Sequence, residues 1–106
     1  MERVLLFNSE SEADEQVPEG AIRAVNVKGS RLCITRSGGR YYAIEDSCPH
    51  MSVRLTNGHL NALGEIVCPW HGYRFSLRTG EEKAKRCGDL KKVKIVQVGE
   101  KCYLEF

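Results

Sequence analysis

The chain of 106 residues has no apolar run approaching the roughly eighteen residues of a membrane-spanning helix. The segment Met1–Phe7 contains only a short apolar run with no small-residue cleavage site, so we expect no signal peptide. Five cysteines are an odd number and are too sparse for the disulfide framework of a small secreted protein. The sequence therefore predicts no membrane association and a location in the reducing cytoplasm.

The charged residues are unevenly distributed, although the formal net charge is only +2. Acidic side chains predominate over residues 1–20, whereas lysine and arginine predominate over residues 83–94. The basic segment has no interleaved aromatic residues, which argues against nucleic acid as a partner. Two interpretations of this segment stay open: a solvated strand edge whose lysines discourage pairing with other strands, or a docking face for an acidic partner.

Short apolar segments separated by glycine-containing turns indicate an all-β chain. No window places apolar residues at helical spacing over three turns, so no helix is predicted, including in the polar and acidic residues 8–20. The predicted strands are Val4–Phe7, Ala21–Val27, Arg31–Arg36, Arg40–Glu45, Leu63–Val67, Gly72–Leu77, Lys92–Val98 and Cys102–Phe106.

These strands predict a small antiparallel β-sandwich or barrel, formed by a single domain over residues 1–106. The segment of residues 46–80 is expected to be an insert between the outer strands. Tyr41 and Tyr42 fall on opposite faces of one strand, so one is expected in the core and the other at the surface.

Two short runs in the insert each combine a thiol with an imidazole: Cys48-Pro49-His50 and Cys68-Pro69-Trp70-His71. These ligand types suit zinc, copper and iron–sulfur clusters rather than calcium or magnesium. A zinc finger usually pairs like ligands, whereas each run here is mixed. Mixed pairs are what a two-iron cluster with two cysteines on one iron and two histidines on the other needs. Spacing alone leaves a structural zinc site open.

With their flanking residues, both runs resemble the cluster-binding boxes of the Rieske [2Fe–2S] ferredoxin family. The resemblance extends over residues 18–106 and includes the second box, Cys68–Phe75, and the turn Leu77–Gly80 that follows it. It implies an antiparallel β-sandwich with a small inserted cluster-binding subdomain, and one [2Fe–2S] cluster per chain. By the same resemblance, Cys48 and Cys68 would bind one iron, and His50 and His71 the other.

The resemblance further implies a soluble carrier that passes one electron between a flavoprotein reductase and an acceptor such as a terminal oxygenase. No catalytic residue is expected, because the chain is too short for the mononuclear-iron domain of an oxygenase and only His59 remains beyond the ligands. The alternatives are a Rieske-like small subunit of a larger reductase of the nitrite-reductase type, and a zinc-stabilised binding module without a redox role. The oligomeric state is not predicted.

Departures from the family pattern predict a low-potential, dioxygenase-type ferredoxin. High-potential members have two further cysteines joined across the cluster loops, which would fall at Val53 and Trp70. They also place a serine and a tyrosine hydroxyl near the cluster sulfurs, where this chain has Tyr73 and Phe75. We therefore expect a potential near the low end of the family range, about −150 mV rather than about +300 mV. Residues 84–89 lack the proline that such ferredoxins usually have near the cluster.

The residues that remain have simpler interpretations. Cys33 and Cys102 are expected to be small core residues. Cys87 lies in a basic, glycine-containing segment, so a reactive thiol is an alternative there. His59 is expected at the surface, and Trp70 is expected to shield the cluster from water.

Overall fold

The computed structural model describes residues 2–49 and 53–106 and confirms the predicted all-β architecture, with one short α-helix added. In chain order its elements are β1 (Arg3–Phe7), α1 (Glu10–Gln16), β2 (Ile22–Val27), β3 (Ser30–Ser37), β4 (Arg40–Glu45), a 3₁₀ turn (Leu55–Asn57), β5 (His59–Leu60), β6 (Glu65–Val67), β7 (Arg74–Ser76), β8 (Lys92–Val98) and β9 (Lys101–Glu105). The predicted strands agree with the observed boundaries to within two residues, whereas the two-residue strand β5 was not predicted.

Among the described residues, two antiparallel sheets position the insert. The larger has the order β1-β9-β8-β4-β3-β2, and the smaller has the order β5-β6-β7. The chain leaves the larger sheet at the end of β4, forms the smaller sheet, and returns through β8, which pairs with β4 at Ala43 and Val93. The segment that contains the insert therefore begins at β4 and ends at β8, two paired strands of the larger sheet.

Both faces of β3 and β4 are covered, which explains why Leu32–Thr35 is buried without alternation. Cys33 and Ile44 pack on one face with residues of the insert, including Leu55, Ile66 and Phe75. The other face packs against β1, α1 and β9, through Leu32, Ile34, Ala43, Phe7, Ala13 and Leu104. Tyr41 and Tyr42 pack against different cores and both are half-buried, so the expectation of one exposed tyrosine was wrong.

The helix α1 (Glu10–Gln16) was not predicted. Ser9 caps it by accepting a hydrogen bond from the backbone N–H of Glu12 (3.1 Å), and glutamates in the first turn interact favourably with the helix dipole. Ala13 and Val17, four residues apart, are buried. Two turns are too short for the three-turn periodicity that was required, but the pattern Ser9-x-x-Glu12 is a capping-box signal that could have identified the start.

None of the helices in the described part of the chain is long and apolar enough to cross a bilayer. The strand-edge interpretation does not apply to Lys83, Lys85 and Lys91, which lie between β7 and β8. For Lys92 and Lys94 it stays a prediction, because β8 pairs with β4 only through Lys92 and Val93 and with β9 only through Lys94–Val98.

Candidate metal centre

The two predicted boxes form loops that are closed by the same hydrogen bond. The backbone N–H of Cys48 donates to the carbonyl of Val53 (2.8 Å), and the N–H of Cys68 donates to the carbonyl of Tyr73 (2.8 Å). Cys48 follows the end of β4 and Cys68 follows β6 directly. Each cysteine therefore lies at the base of a short loop that begins where a strand ends, as the sequence predicts.

Burial distinguishes the two cysteines from the one histidine of the boxes that the structure describes. Cys48 and Cys68 are 0% and 1% exposed and belong to one core cluster, whereas His71 is exposed. His71 and Gly72 both have a positive φ (69° and 67°), a left-handed pair that turns the chain back towards β7. His50 lies outside the described residues, so its placement stays a prediction.

This donor set fits a cluster that has thiolates at one iron and imidazoles at the other. The two thiols share one buried core, and the described imidazole lies at the surface. Within residues 2–49 and 53–106, no three His, Cys, Asp or Glu side chains converge on one point. A two-iron cluster with two protein ligands at each iron does not require such a group.

A buried carboxylate that the sequence analysis did not single out ties the first box to β3. Asp46 accepts hydrogen bonds from Arg31 Nε (2.6 Å), Cys33 Sγ (3.1 Å), Thr56 N (2.8 Å) and Thr56 Oγ1 (2.6 Å). Burial alone would raise the pKa of Asp46, but the hydrogen bonds from Thr56, Cys33 and Arg31 outweigh it and lower the pKa to about 2. Asp46 and Thr56 flank the Cys48 loop, so this carboxylate holds both ends of the loop.

Of the three remaining cysteines, two are buried and one is half-buried. Cys33 and Cys102 are buried, as predicted, and Cys33 also donates to Asp46. Burial raises the pKa of the Cys33 thiol to about 12. Burial also raises the pKa of the half-buried Cys87 thiol, so the reactive-thiol alternative gains no support from its surroundings.

The aromatic residues of the second box differ in exposure. Phe75 is fully buried, and Tyr73 is half-buried. Trp70 is 50% exposed, and its ring centroid lies 5.7 Å from that of His71 at a tilt of 37°. Trp70 therefore lies beside the imidazole with half of its own surface exposed to solvent, and its expected shielding of the cluster stays a prediction. His59 is exposed, as expected.

Comparison with known proteins finds relatives among the ferredoxins of dioxygenase systems. The ferredoxin component of the naphthalene 1,2-dioxygenase system of Pseudomonas aeruginosa is 37% identical over 65 residues, which are 61% of this chain and 62% of that protein. The chain thus matches less than two thirds of that relative's length.

Two solved structures resemble all or most of this fold. The ferredoxin of carbazole 1,9a-dioxygenase from Nocardioides aromaticivorans IC177 superposes with a TM-score of 0.80 at 28% identity, covering 98% of this chain and 97% of that one. A chain from a complex of reduced oxygenase and oxidized ferredoxin in carbazole 1,9a-dioxygenase superposes with a TM-score of 0.72 at 32% identity, covering 82% of this chain and 90% of that one.

The family description that matches the sequence is the Rieske [2Fe-2S] domain, over residues 10–96. That span contains both boxes, and the antiparallel fold with its inserted sheet agrees with it. The chain therefore belongs to the Rieske [2Fe–2S] domain family, and its cofactor is a Rieske-type [2Fe–2S] cluster.

Proposed function

We propose that this chain is a one-electron carrier that takes an electron from a flavoprotein reductase and passes it to a terminal oxygenase of the dioxygenase type. The observation that carries the proposal is the separation of buried thiols from an exposed imidazole. The bound cluster supplies reversible uptake of one electron. The chain encloses the thiol side in its core and presents the imidazole side to a partner.

Cys48 and Cys68 are the proposed ligands of one iron, and His50 and His71 are the proposed ligands of the other. The two loops with matching Cys–carbonyl hydrogen bonds support a paired arrangement. In this assignment the electron enters and leaves through the histidine edge, because the described histidine, His71, is exposed whereas both cysteines are buried. Trp70 lies beside His71 and would form part of the contact surface.

The proposed partners follow from the names of the relatives, which are ferredoxins of naphthalene and carbazole dioxygenase systems. A low potential is also proposed, because the buried ring of Phe75 cannot donate a hydrogen bond to a cluster sulfur. A reducing cytoplasm suits a carrier whose cysteines Cys33, Cys87 and Cys102 are thiols.

The test is anaerobic single-turnover electron transfer. We expect the flavoprotein reductase of a naphthalene-type system, supplied with NADH, to transfer one electron equivalent to each chain. The oxidised oxygenase of that system should then reoxidise the chain. The reduced protein should give the electron paramagnetic resonance signal of a mixed-ligand two-iron cluster. Its midpoint potential should be about −150 mV. A colourless zinc protein would contradict the carrier, and a midpoint well above zero would contradict the ferredoxin branch.

The loop between β7 and β8 offers exposed positive charges for the docking of an acidic partner surface. Lys83 and Lys85 are exposed. Arg54, also exposed, is a further candidate. Arg86 is a weaker candidate, because its positive charge is compensated by the buried carboxylate of Glu82 at 2.8 Å. Charges at the rim of an interface mainly set the association rate and its salt dependence.

We therefore expect the double variant Lys83→Glu and Lys85→Glu to slow association with the oxygenase by about tenfold at low salt, and less at high salt. The matched control is Lys101→Glu, an exposed lysine at the start of β9. Stopped-flow rates at several ionic strengths measure the effect, and the visible spectrum should be unchanged. Equal rates for the wild type and the double variant at low salt would place the docking face elsewhere.

A further inference from the structure

A buried acidic side chain on the loop between β7 and β8 is paired with a single arginine. Glu82 has a fully buried side chain, and it accepts hydrogen bonds from Arg86 N (2.9 Å), Arg86 Nε (2.9 Å) and Arg86 Nη2 (2.8 Å). Two of these bonds form a bidentate guanidinium–carboxylate pair, the geometry that only arginine offers. The hydrogen bonds from Arg86 are also the main reason that the pKa of Glu82 falls to about 2.

The guanidinium of Arg86 also contacts the second cluster-binding loop. Its central carbon lies 3.8 Å from the centroid of the Tyr73 ring, a close cation–π contact. The carbonyl of Tyr73 in turn accepts the hydrogen bond from Cys68 N that closes this loop. We call Glu82, Arg86 and Tyr73 the latch, because together they connect residues 82–86 to the loop that holds Cys68.

The same segment reaches the first loop. Glu82 forms a β-bridge with Phe75, and Lys83 N donates to the carbonyl of Arg74 (2.8 Å), so the start of the segment is fixed on β7. Further along, the half-buried Cys87 packs against the core cluster that contains both Cys48 and Cys68. Residues 82–87 therefore contact the cores of both cysteine loops.

We propose that the latch holds residues 82–87 in place over the two cysteine loops. In this position the segment limits the access of water to the iron that the cysteines bind. Arg86 and Glu82 are positioning residues, since neither is a proposed ligand. The inference rests on the ligand assignment proposed above.

We expect the latch to affect the cluster through the solvent exposure that its geometry sets, rather than through its net charge. Glu82 and Arg86 form an ion pair, so the latch as a whole adds no net charge near the cluster. Solvent exposure does change a cluster's potential, because water stabilises the added electron of the reduced form. Opening the latch while keeping a positive charge at residue 86 separates these two effects.

The test compares Arg86→Lys with the control Lys91→Gln in the cluster-loaded protein. Lysine keeps the charge but loses the bidentate pair and the planar stack on Tyr73, whereas Lys91 is an exposed cation of the same basic segment outside the latch. For Arg86→Lys we expect about tenfold faster loss of iron to a chelator, because the substitution removes the charge-assisted hydrogen bonds that hold residues 82–87 in place. We also expect a higher midpoint potential. Lys91→Gln should lose iron at the wild-type rate.

Hydrogen exchange of the Arg86 amide, which donates to Glu82, provides a second measurement on the same variants and on Glu82→Gln. Faster exchange confined to residues 82–87, with an unchanged circular dichroism spectrum, supports the latch. The latch proposal would be overturned if Arg86→Lys kept the wild-type rate of iron loss, midpoint potential and amide exchange rate. These measurements need no redox partner, so failed electron transfer to an oxygenase bears only on the proposed function. If the protein binds zinc, the carrier proposal fails and amide exchange still tests the latch.

Discussion

Replacing Cys68 by alanine is expected to give a colourless protein without iron or acid-labile sulfide, whereas the wild type should contain about two of each per chain. The thiol of Cys68 is 1% exposed and shares its core with Cys48, so neither water nor a surface side chain can replace it. Because metal binding and local folding are coupled, the insert should also lose protection from proteolysis. Metal and sulfide analysis with visible absorption measures the result.

Cys102→Ala is the matched control for this experiment. Cys102 is also a buried cysteine, but it lies in the core on the opposite face of the larger sheet. Cys102→Ala and Cys87→Ser should both retain the cluster, because four ligands are already assigned. Stoichiometric zinc without sulfide in the wild type, or a cluster that survives in Cys68→Ala, would refute the ligand assignment.

Asp46→Asn is expected to lower cluster occupancy several-fold and to reduce the free energy of unfolding by about 2 kcal/mol. The substitution keeps the shape of the side chain but removes the charge that faces Arg31. It also replaces one acceptor oxygen with an N–H donor, although four donated hydrogen bonds converge on this carboxylate. Since Asp46 and Thr56 flank the Cys48 loop, this loss loosens the first box. Iron content and urea unfolding monitor the two effects.

Asp14→Asn is the control for Asp46→Asn. Asp14 also accepts a hydrogen bond from a side chain, Tyr41 Oη (2.7 Å), and pairs with an arginine, Arg36 (2.8 Å). Its side chain is 56% exposed and lies away from the boxes, so we expect full cluster occupancy and a change in stability of less than about 1 kcal/mol. Equal loss in both variants would show that Asp46 has no special role in holding the first box.

The chemistry of the site could be predicted from the sequence because it depends on residue types at short spacing. Cys48-Pro49-His50 and Cys68-Pro69-Trp70-His71 provide the proposed ligands within two short runs of sequence. The strands could be predicted for the same reason, since alternation and glycine turns are local signals. The helix α1 was missed because its seven residues are too short to show a helical periodicity and its capping signal at Ser9 was not used.

Contacts between distant segments were decided only by the tertiary structure. Asp46 is an ordinary acidic residue in the sequence, and its role depends on Arg31 and Cys33 on β3 and on Thr56 beyond the first box. Likewise, the basic segment gives no sign that Arg86 is paired while Lys85 is exposed. The proposed ligands could be recognised from the intrinsic chemistry of their side chains. The position, burial and charge of the residues that support the ligands depend on which segments the fold brings together.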